Sequence, residues 1–153
     1  MTRPFSLQPL QHLAQQKNDA ATRKLGQLNQ QHQSAQGKLD MLQQFRKDYQ
    51  GKFQEAVRNG MDHNELRNFQ DFINRLDEAI TQQRTVIEQA QRSVQSGRSE
   101  LSEAKRRMKS FDTLAERHVE AGKKLESKAQ QKIQDEHTGR FVAYKTTEKS
   151  DEN

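Results

Sequence analysis

The chain has 153 residues, 30% of them apolar and 31% charged, with a net charge of +5. Ordinary globular domains are nearer half apolar, so a thick core is excluded, while the modest net charge argues against a self-repelling disordered chain. The absence of Cys removes a disulfide framework, a thiolate metal site and a Cys nucleophile, and no apolar run approaches the roughly 18 residues that span a bilayer.

In chain order, the leading Met1-Thr2-Arg3-Pro4-Phe5 lacks the apolar segment of a signal peptide, which points to a cytoplasmic protein. Ser6 can cap a first helix, with Pro9 in its first turn, where a missing N–H is tolerated. No other Pro than Pro4 and Pro9 interrupts the sequence. Steps of three and four residues then give Asn18, Ala21, Leu25, Leu28, His32, Ala35, Leu39, Leu42, Arg46, Tyr49, Phe53 and Ala56. A second register runs Phe69, Ile73, Leu76, Ile80, Gln83, Ile87, Ala90, Val94, Gly97, Leu101, Ala104, Met108, Phe111, Ala115, His118, Gly122, Leu125, Ala129 and Lys132. A seven-residue apolar repeat held this long predicts helices wound around a shared seam.

Between the registers, Asn59-Gly60 is a turn signal, and Asp62 with Glu65 has the spacing of a capping box. The expected architecture is all-α: helices over about 7–57 and 63–135, a turn over 58–62, and an antiparallel coiled-coil hairpin domain over 1–137. At 1.5 Å per residue the helices would be roughly 75 Å and 110 Å long. A fold at residue 59 or 60 places Leu42 near Asp77, Leu25 near Val94 and Leu7 near Asp112. The second helix then overhangs the first beyond about residue 115, and an unpaired helix is marginal in water. Residues 138–153 lose the repeat and read as a flexible, disordered tail.

Five of the nine aromatic residues, Phe45, Tyr49, Phe53, Phe69 and Phe72, fall near the turn. Leu42, Phe45 and Tyr49 on the first helix and Phe72, Leu76 and Ala79 on the second form a face wider than a seam. A two-helix hairpin cannot cover all these rings, which suggests a partner-binding patch; the same spacing also fits rings that thicken the core. Residues 1–60 carry nine Lys or Arg against four Asp or Glu, whereas the rest of the chain is balanced. That excess suits an acidic partner or a phosphate backbone, but interspersed acids favour a solvated flank. The dense basic region of a zipper-type DNA reader is missing before the heptads. No phosphate-cradling Gly loop and no i, i+4 pairing of His12, His32, His63, His118 or His137 occurs. The sequence therefore implies no enzyme, no metal and no cofactor, and gives His32 and His118, on the seam, a register-setting role.

Further residues carry a family resemblance: Phe5-Ser6-Leu7-Gln8-Pro9-Leu10-Gln11-His12-Leu13-Ala14, Asp19-Ala20-Ala21, Leu39, Leu42, Phe45 and Tyr49 before the Asn59-Gly60 turn, Phe72-Ile73-Asn74-Arg75-Leu76 with Ala79-Ile80, Lys109-Ser110-Phe111-Asp112-Thr113-Leu114 with Arg117, and Gln131-Lys132 with Asp135-Glu136. In this order and spacing they resemble the flagellar export protein FliJ over nearly the whole length. The resemblance implies a small cytoplasmic coiled-coil component of the flagellar type III export apparatus, peripherally associated with the inner-membrane face through that apparatus. It implies a stalk-like coupler and general chaperone whose partners are the export ATPase FliI, the cytoplasmic region of the export-gate protein FlhA, and substrate chaperones, with no small-molecule ligand. It maps the gate-binding surface onto Lys38, Leu42, Phe45, Tyr49, Phe72, Leu76, Ala79 and Gln83. Family members often carry Gln, Tyr and His where this chain has Lys38, Phe45 and Gln83. The stalk analogy places Leu7, Leu10, Leu13, Leu114 and Arg117 at the ATPase. The alternatives are a substrate-specific export chaperone or another coiled-coil adaptor and, behind these, a nucleic-acid-binding coiled coil.

Overall fold

Helix-forming residues free of internal Pro produce two α-helices in the structure, a computed structural model that describes residues 3–151. Helix α1 is Gln8–Arg58 and α2 is His63–Asp151, with no strand among the described residues. Met1, Thr2, Glu152 and Asn153 lie outside the described residues, so the outermost ends of the expected hairpin domain and tail do too. The bond that opens α1 runs from the Gln11 N–H to the Leu7 carbonyl at 2.9 Å. Leu7, one residue later than the expected Ser6, therefore takes the capping position.

At the other end of α1, Gly60 has φ = +84°, a left-handed conformation that costs a residue with a Cβ. Its N–H reaches back to the Val57 carbonyl at 3.3 Å, closing the helix as a C-terminal glycine cap does. Asp62 then opens α2. Its carbonyl accepts from the Leu66 N–H at 3.0 Å, and its carboxylate accepts from the His63 N–H at 2.8 Å.

Burial follows the seven-residue repeat. Every position of the first register from Asn18 to Ala56, and of the second from Phe69 to Gly122, is buried or half-buried. The chain divides into two units, one of residues Gln16–Lys105 and one of Met1–Gln15 with Arg106–Asn153; they are called here the turn unit and the termini unit.

In the turn unit the chain folds back as an antiparallel hairpin. Ala35, Leu39, Ile80 and Ile87 form the central cluster, with Leu42 packed against it, and Ile73, Leu76 and Val94 are also buried. Polar bonds cross the seam: Lys24 to Glu100 at 3.0 Å, Arg46 to Asp77, and the Gln83 amide to the Ala35 carbonyl at 2.8 Å. The register differs from the expected one by about a turn. Asp77 meets Arg46 instead of Leu42, and Leu25 lies against Gly97 instead of Val94. The cause is the pivot. Residues 59–62 all belong to the turn, so the fold is centred beyond residue 60 and opposite numbers shift along α2.

In the termini unit Ala14 is buried, and the Gln11 amide donates to Asp112 Oδ1 at 2.8 Å, where Leu7 was the expected neighbour. Beyond Gly122 every described side chain of α2 is exposed. The disordered tail expected from residue 138 is a correction: α2 continues as helix to Asp151. The stretch has no Pro, its backbone groups pair within the helix, and hydroxyls such as Thr138 donate to carbonyls one turn back, here Gln134 at 2.9 Å.

Candidate functional site

Four of the five aromatic residues predicted near the turn, Tyr49, Phe53, Phe69 and Phe72, come together in the turn unit because α1 and α2 present them at adjoining levels, while Phe45 stands apart from the other rings. Tyr49 sits between two rings of α2, its centroid 4.4 Å from Phe72 and 4.9 Å from Phe69, and Phe53 is 5.7 Å from Phe69. These tilted contacts are the favoured arrangement of aromatic pairs and fix the rings beyond what area burial alone would do. Tyr49, Phe53 and Phe69 are half-buried, whereas Phe45 is 55% and Phe72 42% exposed. The rings thus divide: the inner ones close the hairpin near the turn, and Phe45 and Phe72 face solvent.

The remaining sequence-predicted residues also separate by what they touch. Lys38 is exposed, and Leu42 and Ala79 are half-buried between the core and the surface. Leu76 is buried, so it belongs to the core and not to the exposed face. The Gln83 amide is committed to the Ala35 carbonyl, which ties α2 to α1 at the edge of the face. Two exposed apolar residues escaped the sequence reading: Met41, one turn before Phe45, and Val86, two turns after Ala79. Both could have been found by extending the i, i+4 and i, i+7 spacing of the aromatic face.

In the termini unit, Leu10, Leu13 and Leu114 are exposed large apolar residues; Arg117 is exposed and Leu7 half-buried. Near them His118 Nε2 lies 2.7 Å from the Arg3 carbonyl and its ring 5.5 Å from Phe5. His118 therefore fastens the residues that precede α1. His32, the other seam histidine, has its Nε2 buried without a hydrogen-bond partner.

Among the described residues no group of three or more His, Asp or Glu could hold a metal ion, and no helix is long and apolar enough to cross a membrane. Among the described residues, the ion pair with shifted titration is the structural one between the helices. The Arg46 guanidinium hydrogen bond holds the Asp77 carboxyl below the usual carboxylate range, against a smaller opposing effect of desolvation, and Asp77 in turn raises Arg46.

Comparison with known proteins decides the family. The model of the family described as "Flagellar FliJ protein" matches residues 3–146. The chain belongs to the FliJ family. It is 31% identical to the "Flagellar FliJ protein" of Salmonella typhi over 145 residues, covering 95% of this chain and 99% of that relative. It is also 31% identical to the "Flagellar FliJ protein" of Escherichia coli (strain K12) over 140 residues, covering 92% and 95%. The matched residues 3–146 include the aromatic face and the exposed Leu10, Leu13, Leu114 and Arg117 of this FliJ-family protein.

Proposed function

We propose that this FliJ-family chain works in the flagellar type III export apparatus as a stalk-like coupler and general chaperone. One region engages the export ATPase ring of FliI, and the aromatic face near the turn engages the cytoplasmic region of the export gate FlhA. The protein itself hydrolyses nothing. It would act in the cytoplasm, held at the inner-membrane face only through these partners.

The observation that supports this reading most is the outward exposure of Phe45 and Phe72, the latter packed against Tyr49, on the two helices of the turn unit. Large exposed aromatics on a rigid support are the usual anchors of a protein interface. Lys38, Leu42, Tyr49, Ala79 and Gln83 edge this face, with Leu76 buried in the core. The exposed Leu10, Leu13, Leu114 and Arg117, with Leu7, are the counterpart surface for the ATPase.

The test uses the full chain. Replacing Phe45 and Phe72 together by Ala is expected to abolish capture of the purified gate domain while circular dichroism shows unchanged helicity; retained capture would refute the gate assignment. Added at substoichiometric ratio, the unaltered protein is expected to raise assembly or turnover of the export ATPase. No change in either, with substrate chaperones still bound, would favour the dedicated-chaperone alternative.

A further inference from the structure

The turn unit carries a second surface of different chemistry, which the coupler reading leaves unused. A recess of about 800 Å³ runs between the helices. Its α1 wall is spaced i, i+4, i+7 and i+11, from Gln43 through Lys47 and Gln50 to Gln54, and its α2 wall holds Asp77, Thr81 and Arg84 over two turns. The α1 wall is about 16 Å long at 1.5 Å per residue. None of the aromatic residues lines it.

Charge and shape both select an occupant. Arg46, Lys47 and Arg84 supply three cations against one carboxylate, Asp77, and that carboxylate already accepts from Arg46. Lys47 and Arg84 have no ion pair among the described residues. Gly51 opens the middle of the recess: a Cβ there would meet nothing within 4 Å, and a Gly inside a helix gives up as much as about 1 kcal/mol relative to Ala. The glutamines offer both donors and acceptors to polar groups of an incoming chain. Two helices side by side present ridges and a groove that a third helix fits.

We propose that this recess is a docking groove for an acidic helical segment of a partner protein, with carboxylates on one face spaced to meet Lys47 and Arg84. Two free cations over about 16 Å are too few for the many phosphate contacts that duplex binding requires, which favours a peptide over nucleic acid. The groove is distinct from the aromatic face, so one hairpin end can hold two partners of different chemistry.

The experiment uses the full-length chain and a fluorescein-labelled, Ala-based helical peptide with Glu at i, i+4 and i+7, read by anisotropy. Lys47→Glu with Arg84→Glu is expected to weaken binding about tenfold or more, as for reversal of interfacial charges. Gly51→Leu, which leaves the charge untouched and fills the recess, should weaken it severalfold. An equal charge change elsewhere, Arg98→Glu with Lys105→Glu, should have less than about a twofold effect because exposed charges at a distance are screened by salt. Phe45→Ala with Phe72→Ala should leave peptide binding unchanged, so failure of the gate assignment and failure of the groove are separable. Circular dichroism confirms that each variant is folded. Equal losses in both charge-reversal variants, unimpaired binding by Gly51→Leu, or tighter binding of duplex DNA than of the peptide would each overturn the proposal.

Discussion

The seven-residue repeat of α2 runs from the turn unit into the termini unit as far as Lys132, and its positions are used differently in the two. In the turn unit Ala35, Leu39, Ile73, Leu76, Ile80, Ile87 and Val94 are buried, whereas among the described residues of the termini unit only Ala14 is. The termini unit instead exposes Leu10, Leu13, Leu114, Val119, Leu125, Ile133, Phe141, Val142 and Tyr144. A heptad pattern therefore specifies which face of a helix is apolar, and burial of that face needs a second helix at the same level. Where α1 supplies one, the repeat becomes a core; from Leu125 onward it remains an open stripe.

The largest effect expected from this contrast is at the central cluster. Ile80→Ala should cost about 2–5 kcal/mol, the usual range for emptying a buried aliphatic position, measured by urea unfolding. The same change at Ile133 should cost less than about 0.5 kcal/mol, as at an ordinary surface site. Equal losses at the two positions would break the comparison. Next in size is the turn. Gly60→Ala forces a Cβ into the left-handed region, at a cost of about 1–2 kcal/mol, and should lower the melting temperature without changing helical signal at low temperature.

Smaller and opposite in sign, Gly26→Ala should raise stability by about 0.5–1 kcal/mol, because the added Cβ meets nothing within 4 Å. Gly139→Ala, equally free of neighbours, should increase helical circular dichroism while leaving the unfolding midpoint of the turn unit unchanged. The smallest effect is the pH dependence of Asp77. Its carboxyl is depressed chiefly by the hydrogen bond from Arg46. Its contribution to stability is thus complete above the ordinary carboxylate range and is lost as pH falls through the lowered folded value. Melting curves of the unaltered chain and Asp77→Asn should differ slightly near neutrality and converge in acid.

Much of the fold was legible because seam position and burial share one physical cause. Ala35, Leu39, Ile73, Leu76, Ile80, Ile87 and Val94 could be chosen from spacing alone, and all are buried. Opposite numbers were less legible. Arg46 meets Asp77 because the turn lengthens the pivot, and periodicity along one helix contains no measure of where its neighbour begins. The state of residues 138–151 was hidden for another reason: loss of a seam removes the evidence for a partner without removing the capacity to form backbone hydrogen bonds. In the candidate site, ring spacing implied that part of the five-ring group near the turn faces solvent without saying which rings, and the exposed ones are Phe45 and Phe72. Leu76 lies on the second seam register and Phe45 and Phe72 lie off both registers, which separates them, but no spacing anticipates that the Gln83 amide is occupied by the Ala35 carbonyl.

The close approach at Gly97 has a consequence for register. A Cβ at this position would stand 2.9 Å from Leu28 Cδ1 and 3.4 Å from Leu25 Cδ1, so the two leucines fill the space the glycine leaves, and a larger residue there requires the Leu28 side chain to shift. Coiled coils with a regular repeat can slide by whole heptads, because each step restores the apolar match. Here a seven-residue slide along α2 would bring Ala90 or Ala104 to the place of Gly97, and both carry the Cβ that Gly97 lacks. The Gln83 amide would lose the Ala35 carbonyl in the same movement. The Gly97 approach and the Gln83 bond to Ala35 thus favour one register of the two helices of the turn unit over its heptad-shifted neighbours.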